Sequence, residues 1–412
     1  MGLNDTPAAN RIHIGFFGRR NAGKSSLVNA VTGQETAIVS PAKGTTTDPV
    51  SKAMELLPLG PVLIIDTPGI DDEGALGGLR VRRAKQVLNK SDVAVLVVDA
   101  AAGGLEKADE ELVAAFRARQ VPFIIAYNKC DLDGVPAGEE AETANEIRVS
   151  AVTGHNIALL KERIGVLART EETKFHIVAD LVHAGDFVVL VTPIDKAAPK
   201  GRLILPQQQT IRDILEADAA AIVVKEFELR ETLEHLGKRP ALVITDSQVF
   251  AKVSADTPPE IPLTSFSILF ARYKGFLAQA VRGITALDRV GDGGSILIAE
   301  GCTHHRQCDD IGSVKLPRWI KQYTGKNPEF VFTSGGEFPE DLSPYDMILH
   351  CGACMLSERE MRYRQECAAS QRIPFTNYGV AIAQMQGILK RSLAVFPPIL
   401  AELEEQRYAE RT

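Results

Sequence analysis

Short runs of apolar residues punctuate the chain at 12–17, 62–65, 93–98 and 123–126, with a brief one at 147–149, and stretches long enough for a helix separate them. Runs of this length, rich in Val and Ile and bounded by turn residues, predict strands buried on both faces. The first 170 or so residues therefore read as an α/β layer around a parallel sheet. The pattern then restarts twice. After about residue 172, runs at 186–191, 221–224 and 241–245 alternate with helix-like stretches, while Pro193, Pro199 and Pro206 fix a loop and interrupt any helix. From about 266, runs at 296–298 and 346–349 open a third α/β region.

A chain of 412 residues exceeds one compact core and accommodates two or three domains. Its 45% hydrophobic and 24% charged residues are ordinary for a globular protein and exclude disordered and fibrous classes. No 18 consecutive apolar residues occur, and the first 11 positions lack the regions of a secretory signal. The cytoplasm is the expected compartment, with no membrane partner. A net charge of −7 without a basic stripe argues against nucleic acid as a partner.

The first apolar run leads into Gly18-Arg19-Arg20-Asn21-Ala22-Gly23-Lys24-Ser25, which fits the phosphate-loop pattern at every fixed position. Its glycines let backbone N–H groups close around phosphates, Lys24 supplies charge, and Ser25 offers a hydroxyl to magnesium. Gly18, Asn21, Ala22, Gly23, Lys24, Ser25 and Ser26 form the candidate cradle, and the following helix adds its dipole. Asp66-Thr67-Pro68-Gly69 closes the second run, where the carboxylate can hold magnesium through water and the Gly69 N–H can sense a γ-phosphate. Asn128-Lys129-Cys130-Asp131 closes the fourth. A carboxylate there accepts two N–H bonds from guanine that adenine does not offer, so the nucleotide is GTP. Ser150-Ala151 is placed to reach the guanine oxygen through backbone N–H.

Lys24, Thr46, Asp66 and Gly69 are the residues read as catalytic. Ile70 follows Gly69, so the water-orienting glutamine of Ras-like enzymes is absent. Asn21 together with Gly44-Thr45-Thr46-Thr47-Asp48 resembles GTPases of the tRNA-modification type, in which potassium takes the place of an arginine finger. That resemblance implies potassium at Asn21 and potassium-stimulated hydrolysis. Thr46 is the expected switch threonine on magnesium, with Thr45 its near competitor.

Six cysteines stand at 130, 302, 308, 351, 354 and 367, five of them in the last third. In a reducing compartment such clustering predicts metal binding. Cys302 and the pair Cys351/Cys354 each follow a predicted strand, and ligands gather at the carboxyl ends of strands in an open parallel sheet. Three thiolates leave one iron of a cubane open, whereas zinc would recruit a histidine to close a tetrahedron, and the spacing leaves both readings open. Asp309, His304, His305 and His350 are candidate fourth ligands. Cys308 and Cys367 lie outside the pattern, Cys130 occupies the variable position of the guanine motif, and Asn377-Tyr378-Gly379 ends another strand-like run.

The order of these features, with the middle segment Pro193-Ile194-Asp195-Lys196 to Ala198-Pro199-Lys200-Gly201-Arg202-Leu203-Ile204-Leu205-Pro206, resembles the FeFe-hydrogenase maturation GTPase family, HydF, over essentially the whole chain. The resemblance implies a Ras-like P-loop GTPase domain at 1–170, a small α/β dimerisation domain at 171–265 and an α/β iron–sulfur cluster-binding domain at 266–412. It implies a 4Fe-4S cluster on Cys302, Cys351 and Cys354; His304 and His350 match the family's histidines, Asp309 is a carboxylate along the same loop, and the resemblance does not fix which residue, if any, completes the cube. It further implies a scaffold and carrier, a homodimer or higher homo-oligomer. Such a carrier receives a transient two-iron precursor after radical-SAM hydrogenase maturases have acted and delivers it to apo FeFe-hydrogenase. The competing readings are a ribosome- or tRNA-associated GTPase with a zinc-binding C-terminal domain, and a GTP switch whose metal is structural.

Overall fold

The structure, a computed structural model, describes residues 6–33, 49–57, 59–69, 75–132, 144–168, 176–194, 203–301 and 310–409. Thr45, Thr46, Cys302, His304, His305, Cys308 and Asp309 lie outside the described residues. The chain forms two compact units, Met1–Thr173 with Ser357–Glu360, and Lys174–Leu356 with Met361–Thr412.

In the first unit, β1 (Ile12–Phe17), β2 (Val50–Leu56), β3 (Gly60–Asp66), β4 (Val93–Asp99), β5 (Phe123–Asn128) and β6 (Glu146–Arg148) form one sheet in the order β2-β3-β1-β4-β5-β6. All neighbours pair in parallel except β2, which runs antiparallel to β3 at the edge. The sequence pattern gives no sign of β2, because its exposure alternates as it must on a half-covered edge strand. Val93 to Val98 of the central strand are fully buried, as a strand with helices on both faces requires.

The second unit contains two four-stranded parallel sheets. The first is built from β7 (Phe187–Val191), β8 (Ala220–Val224), β9 (Leu242–Thr245) and β10 (Leu263–Ser265), in the order β10-β9-β7-β8. The second is built from β11 (Ser295–Ala299), β12 (Glu329–Thr333), β13 (Met347–His350) and β14 (Phe375–Asn377), in the order β12-β11-β13-β14. Apolar residues of both sheets belong to one continuous core that includes Val188–Val191, Leu242–Ile244, Ile296–Ala299 and Met347–Leu349. The helix Leu277–Ile284 lies directly on β14, where Gly283 meets the Phe375 backbone so closely that a Cβ would collide with it. Phe276 and Phe375 add an edge-to-face contact beside it, centroids 5.9 Å apart.

Candidate functional site

The phosphate loop joins β1 to the helix Lys24–Thr32. Gly18 (φ 139°) and Gly23 (φ 86°) take backbone conformations that L side chains rarely adopt, and both are pressed against neighbours, Gly18 on the Val97 carbonyl and Gly23 on the Asn128 amide. Asn21 joins them at φ 63°. Lys24, only 8% exposed, lies back over the loop and donates to the Gly18 and Arg19 carbonyls at 3.0 and 2.6 Å. Its ammonium is thus held where phosphate oxygens approach the loop.

Ser25 Oγ donates to Asp66 Oδ2 across 2.6 Å, joining the first helix to the carboxyl end of β3. Asp66 Oδ1 is buried without a hydrogen-bond partner. Burial pushes the Asp66 carboxyl up, against the pull of the Ser25 hydroxyl and the Lys24 charge. An orphaned carboxylate oxygen beside a hydroxyl is a donor set that suits a hard divalent cation, so these residues fit magnesium. Gly69 approaches the same loop from the other side, a Cβ there lying 2.7 Å from the Arg20 nitrogen.

Asn128 organises the base end. Its Nδ2 donates to the Ala22 carbonyl (3.1 Å) and its Oδ1 accepts the Ala151 N–H (3.1 Å), tying three loops together. Lys129, at φ 68°, pairs with Asp99 at 2.5 Å. Asp131 and Ser26 are exposed, Ser150 is buried with Oγ accepting the Thr153 N–H, and burial with the nearby Asp131 charge pushes the Cys130 thiol up. Sequence reasoning missed the Arg19 clamp. The Arg19 guanidinium bonds Glu106 and Asp109, whose side chain is fully buried, fastening the start of the phosphate loop to the helix Lys107–Ala118. A basic residue at a variable loop position gives no such signal.

In the second unit, β11 and β13 are adjacent with Ala299 opposite His350, so the loops that follow them start side by side. Cys351 N–H donates to the Ala299 carbonyl (2.9 Å), and the Cys351 sulfur accepts the N–H groups of Gly301 (3.1 Å) and Ala353 (3.4 Å). Ala353 takes φ 57° to make that turn. Burial pushes the Cys351 thiol up while the two N–H groups and Arg364 pull it down. A sulfur already cradled by backbone N–H groups, with Cys354 in the same turn, fits a thiolate-held metal centre. Among the described residues, no three Cys, His, Asp or Glu side chains converge as a metal site.

His350 is engaged on both sides. Arg364 donates to Nε2 at 3.0 Å, which makes that nitrogen the acceptor, and Nδ1 then donates to the Cys351 carbonyl at 2.9 Å. Burial first, and the Arg364 charge second, bring its pKa down to about 3. The ring stacks on Phe375. Cys367 lies on the helix Glu358–Ser370 with its sulfur toward the Glu340 carbonyl, and Asn377 caps the helix Tyr378–Met385.

Three family models match separate regions of the chain. A model described as 50S ribosome-binding GTPase matches residues 13–129, one described as hydrogen maturase F dimerization domain matches 177–275, and one described as hydrogen maturase F tetramerization domain matches 278–395. The two maturase models together span more than half of the chain. The chain belongs to the hydrogen maturase F (HydF) family. It carries a Ras-like P-loop GTPase domain followed by the HydF dimerization and tetramerization domains, which support a homo-oligomer.

The curated relatives resemble the HydF chain in its GTPase part. The tRNA modification GTPase MnmE of Paraburkholderia xenovorans is 36% identical over 158 residues, covering 37% of this chain and 33% of that protein. GTPase Der of Wolinella succinogenes is 34% identical over 173 residues, covering 38% and 36%. The chain thus spans about a third of the length of these relatives. Among solved structures, a probable GTP-binding protein engB is 27% identical with a TM-score of 0.32, covering 39% of this chain and 100% of its own. An Aquifex aeolicus Era variant bound to GDP and aluminium fluoride is 23% identical with a TM-score of 0.34, covering 55% and 98%. Among the described residues no helix is long and apolar enough to cross a membrane.

Proposed function

We propose that this HydF-family chain is a GTP-hydrolysing scaffold and carrier. In this reading it holds a 4Fe-4S cluster on Cys302, Cys351 and Cys354, takes up the two-iron precursor of the FeFe-hydrogenase active site from radical-SAM maturases, and passes it to apo-hydrogenase. The observation that carries the reading is the Cys351 sulfur, held by two backbone N–H groups at the carboxyl end of an inner strand of a parallel sheet, one of them from the residue just before Cys302. N–H bonds to sulfur stabilise the thiolate that iron requires. A cluster with three cysteine ligands supplies one open iron to which cargo can attach. Both His350 nitrogens are engaged, which favours Asp309 or His304 over His350 as the fourth ligand.

At the nucleotide site, Lys24 balances phosphate charge, Ser25, Thr46 and Asp66 serve magnesium, the Gly69 N–H faces the γ-phosphate, and Asp131 reads guanine while Asn128 holds the Ser150-Ala151 turn. Magnesium, when bound, offsets the charge on the β- and γ-phosphates. With Ile70 in place of a glutamine, potassium at Asn21 is the proposed stimulant, so turnover is expected to run well above the sodium rate in potassium, and equal rates would remove that part.

Anaerobic reconstitution with iron and sulfide tests the whole reading. A reducible iron–sulfur EPR signal, lost in Cys302→Ala and Cys351→Ser, is expected. The likeness of the GTPase part to a tRNA modification GTPase favours a second reading, an RNA-associated GTPase with a zinc domain, and colourless stoichiometric zinc in place of the cluster would favour it.

A further inference from the structure

Two arginines stand side by side in the phosphate loop, and the fold treats them oppositely. The Arg19 guanidinium bonds Glu106 and the fully buried Asp109, its Nε 3.0 Å from Asp109 Oδ2, and its side chain is only 15% exposed. Those carboxylates offset its charge and hold it at the start of the helix Lys107–Ala118. Arg20 is exposed. Lys24, the remaining cation between Gly18 and Ser25, lies back over the Gly18 and Arg19 carbonyls.

The backbone of Arg20 touches Gly69. A Cβ built on Gly69 would lie 2.7 Å from the Arg20 nitrogen, 2.8 Å from its Cα and 3.0 Å from its Cβ. Gly69 does not take a positive φ, so this contact, and not a backbone conformation, is what excludes a side chain there. The loop that closes β3 therefore abuts the phosphate loop at Arg20. The residue beside the proposed γ-phosphate sensor carries a long, exposed, permanently charged side chain.

Resting on the GTPase reading above and deepening it, we infer that Arg20 is a further catalytic residue for GTP hydrolysis, its guanidinium bonding the γ-phosphate oxygens at the Gly69 end of the loop. Hydrolysis joins a water oxygen to the γ-phosphorus while the bond from that phosphorus to the β–γ bridging oxygen breaks. The electron pair of the broken bond stays on GDP, and the proton lost by the water ends on inorganic phosphate. Negative charge spreads over the transferring group and the leaving oxygen as the bond loosens. A planar guanidinium can meet two phosphate oxygens at once, and a fixed positive charge there stabilises the transition state more than the ground state. The chain has Ile70 where Ras-like enzymes carry glutamine, so this charge acts without a water-orienting side chain at that position. Asn21, next in the chain, is the proposed potassium ligand, and the two positive charges then approach the phosphates from adjacent loop positions.

The test uses the full chain with magnesium and potassium present, read as kcat for GTP and as affinity for GDP. Arg20→Ala is expected to lower kcat about a hundredfold while leaving GDP affinity at the wild-type value, because GDP lacks the γ-phosphate. Arg20→Gln, which keeps a long polar side chain without the charge, is expected to match Arg20→Ala. Arg20→Lys is expected to fall between, since an ammonium supplies charge without the fork. A wild-type or raised kcat in Arg20→Ala would overturn the inference. So would a fall in GDP affinity as large as the fall in kcat, which would make Arg20 a support of the loop. If Arg20→Ala does not fold, Arg20→Gln decides by the same two readings. A wild-type chain that hydrolyses no GTP would instead remove the GTPase reading itself, a failure visible before any arginine is changed.

Discussion

Gly301 donates its backbone N–H to the sulfur of Cys351 across 3.1 Å, although 50 positions separate the two residues. The contact follows from the parallel pairing of β11 with β13, which sets Ala299 beside His350 and starts the next two loops from adjacent points. A hydrogen bond to sulfur favours the thiolate over the thiol.

Cys351 should therefore be the more demanding of the two sulfurs in its turn. Cys351→Ser is expected to lose most of the iron taken up on reconstitution, because serine neither reproduces a soft thiolate nor the length of the N–H···S contacts. Iron and sulfide assays against wild type read the result, and unchanged loading would count against a metal role for this loop.

Gly283→Ala reverses a familiar rule. Alanine in a helix normally stabilises by up to about 1 kcal/mol relative to glycine. Here the new Cβ would strike the Phe375 backbone, which cannot swing aside as a side chain does. A net loss of about 1 to 3 kcal/mol is expected, read as a lower urea midpoint.

Arg19→Ala leaves Asp109 buried without its cation. A loss of about 3 kcal/mol is expected, with Asp109→Asn milder because the amide oxygen still accepts the Glu106 N–H. Burial already pushes the Asp109 carboxyl up in spite of Arg19. A carboxyl whose folded-state pKa exceeds its unfolded value binds its proton more readily when folded, so its contribution to stability falls as pH rises. The deficit of Arg19→Ala should accordingly shrink as pH is lowered from neutral toward the carboxylate range. Denaturant melts of both variants across that interval check the sign.

At the nucleotide site, Lys24→Ala should lower GTP turnover by about a hundredfold or more, since a phosphate charge loses its fixed partner. Asp131→Asn should leave the fold intact and weaken preference for guanine by roughly tenfold to a hundredfold, the worth of a charge-assisted bond. Competition between GTP and XTP reads the second variant. Wild-type kinetics in both would overturn the site.

The nucleotide site was legible because its parts are local. Gly18 to Ser25, Asp66 to Gly69 and Asn128 to Asp131 each stand at the end of a strand whose apolar run is visible, and the parallel order of those strands brings the three together. β2 was not legible, since an edge strand with alternating exposure lacks a continuous apolar run. The engagement of His350 with Arg364 was equally hidden, because an arginine on a helix 14 positions away reads as a solvated charge.

The sequence by itself determined the chemistry: which side chains can hold phosphate, read guanine or bind metal, and in what order they occur. Those properties depend on residue type and on spacing within one turn or loop. Tertiary structure decided which of these groups meet and what else stands beside them. The cradle of Cys351 rests on strand register, and the Arg19 clamp on the packing of a helix beside the phosphate loop. Such contacts arise from cooperative burial over many distant residues, and no short stretch of the chain encodes them alone.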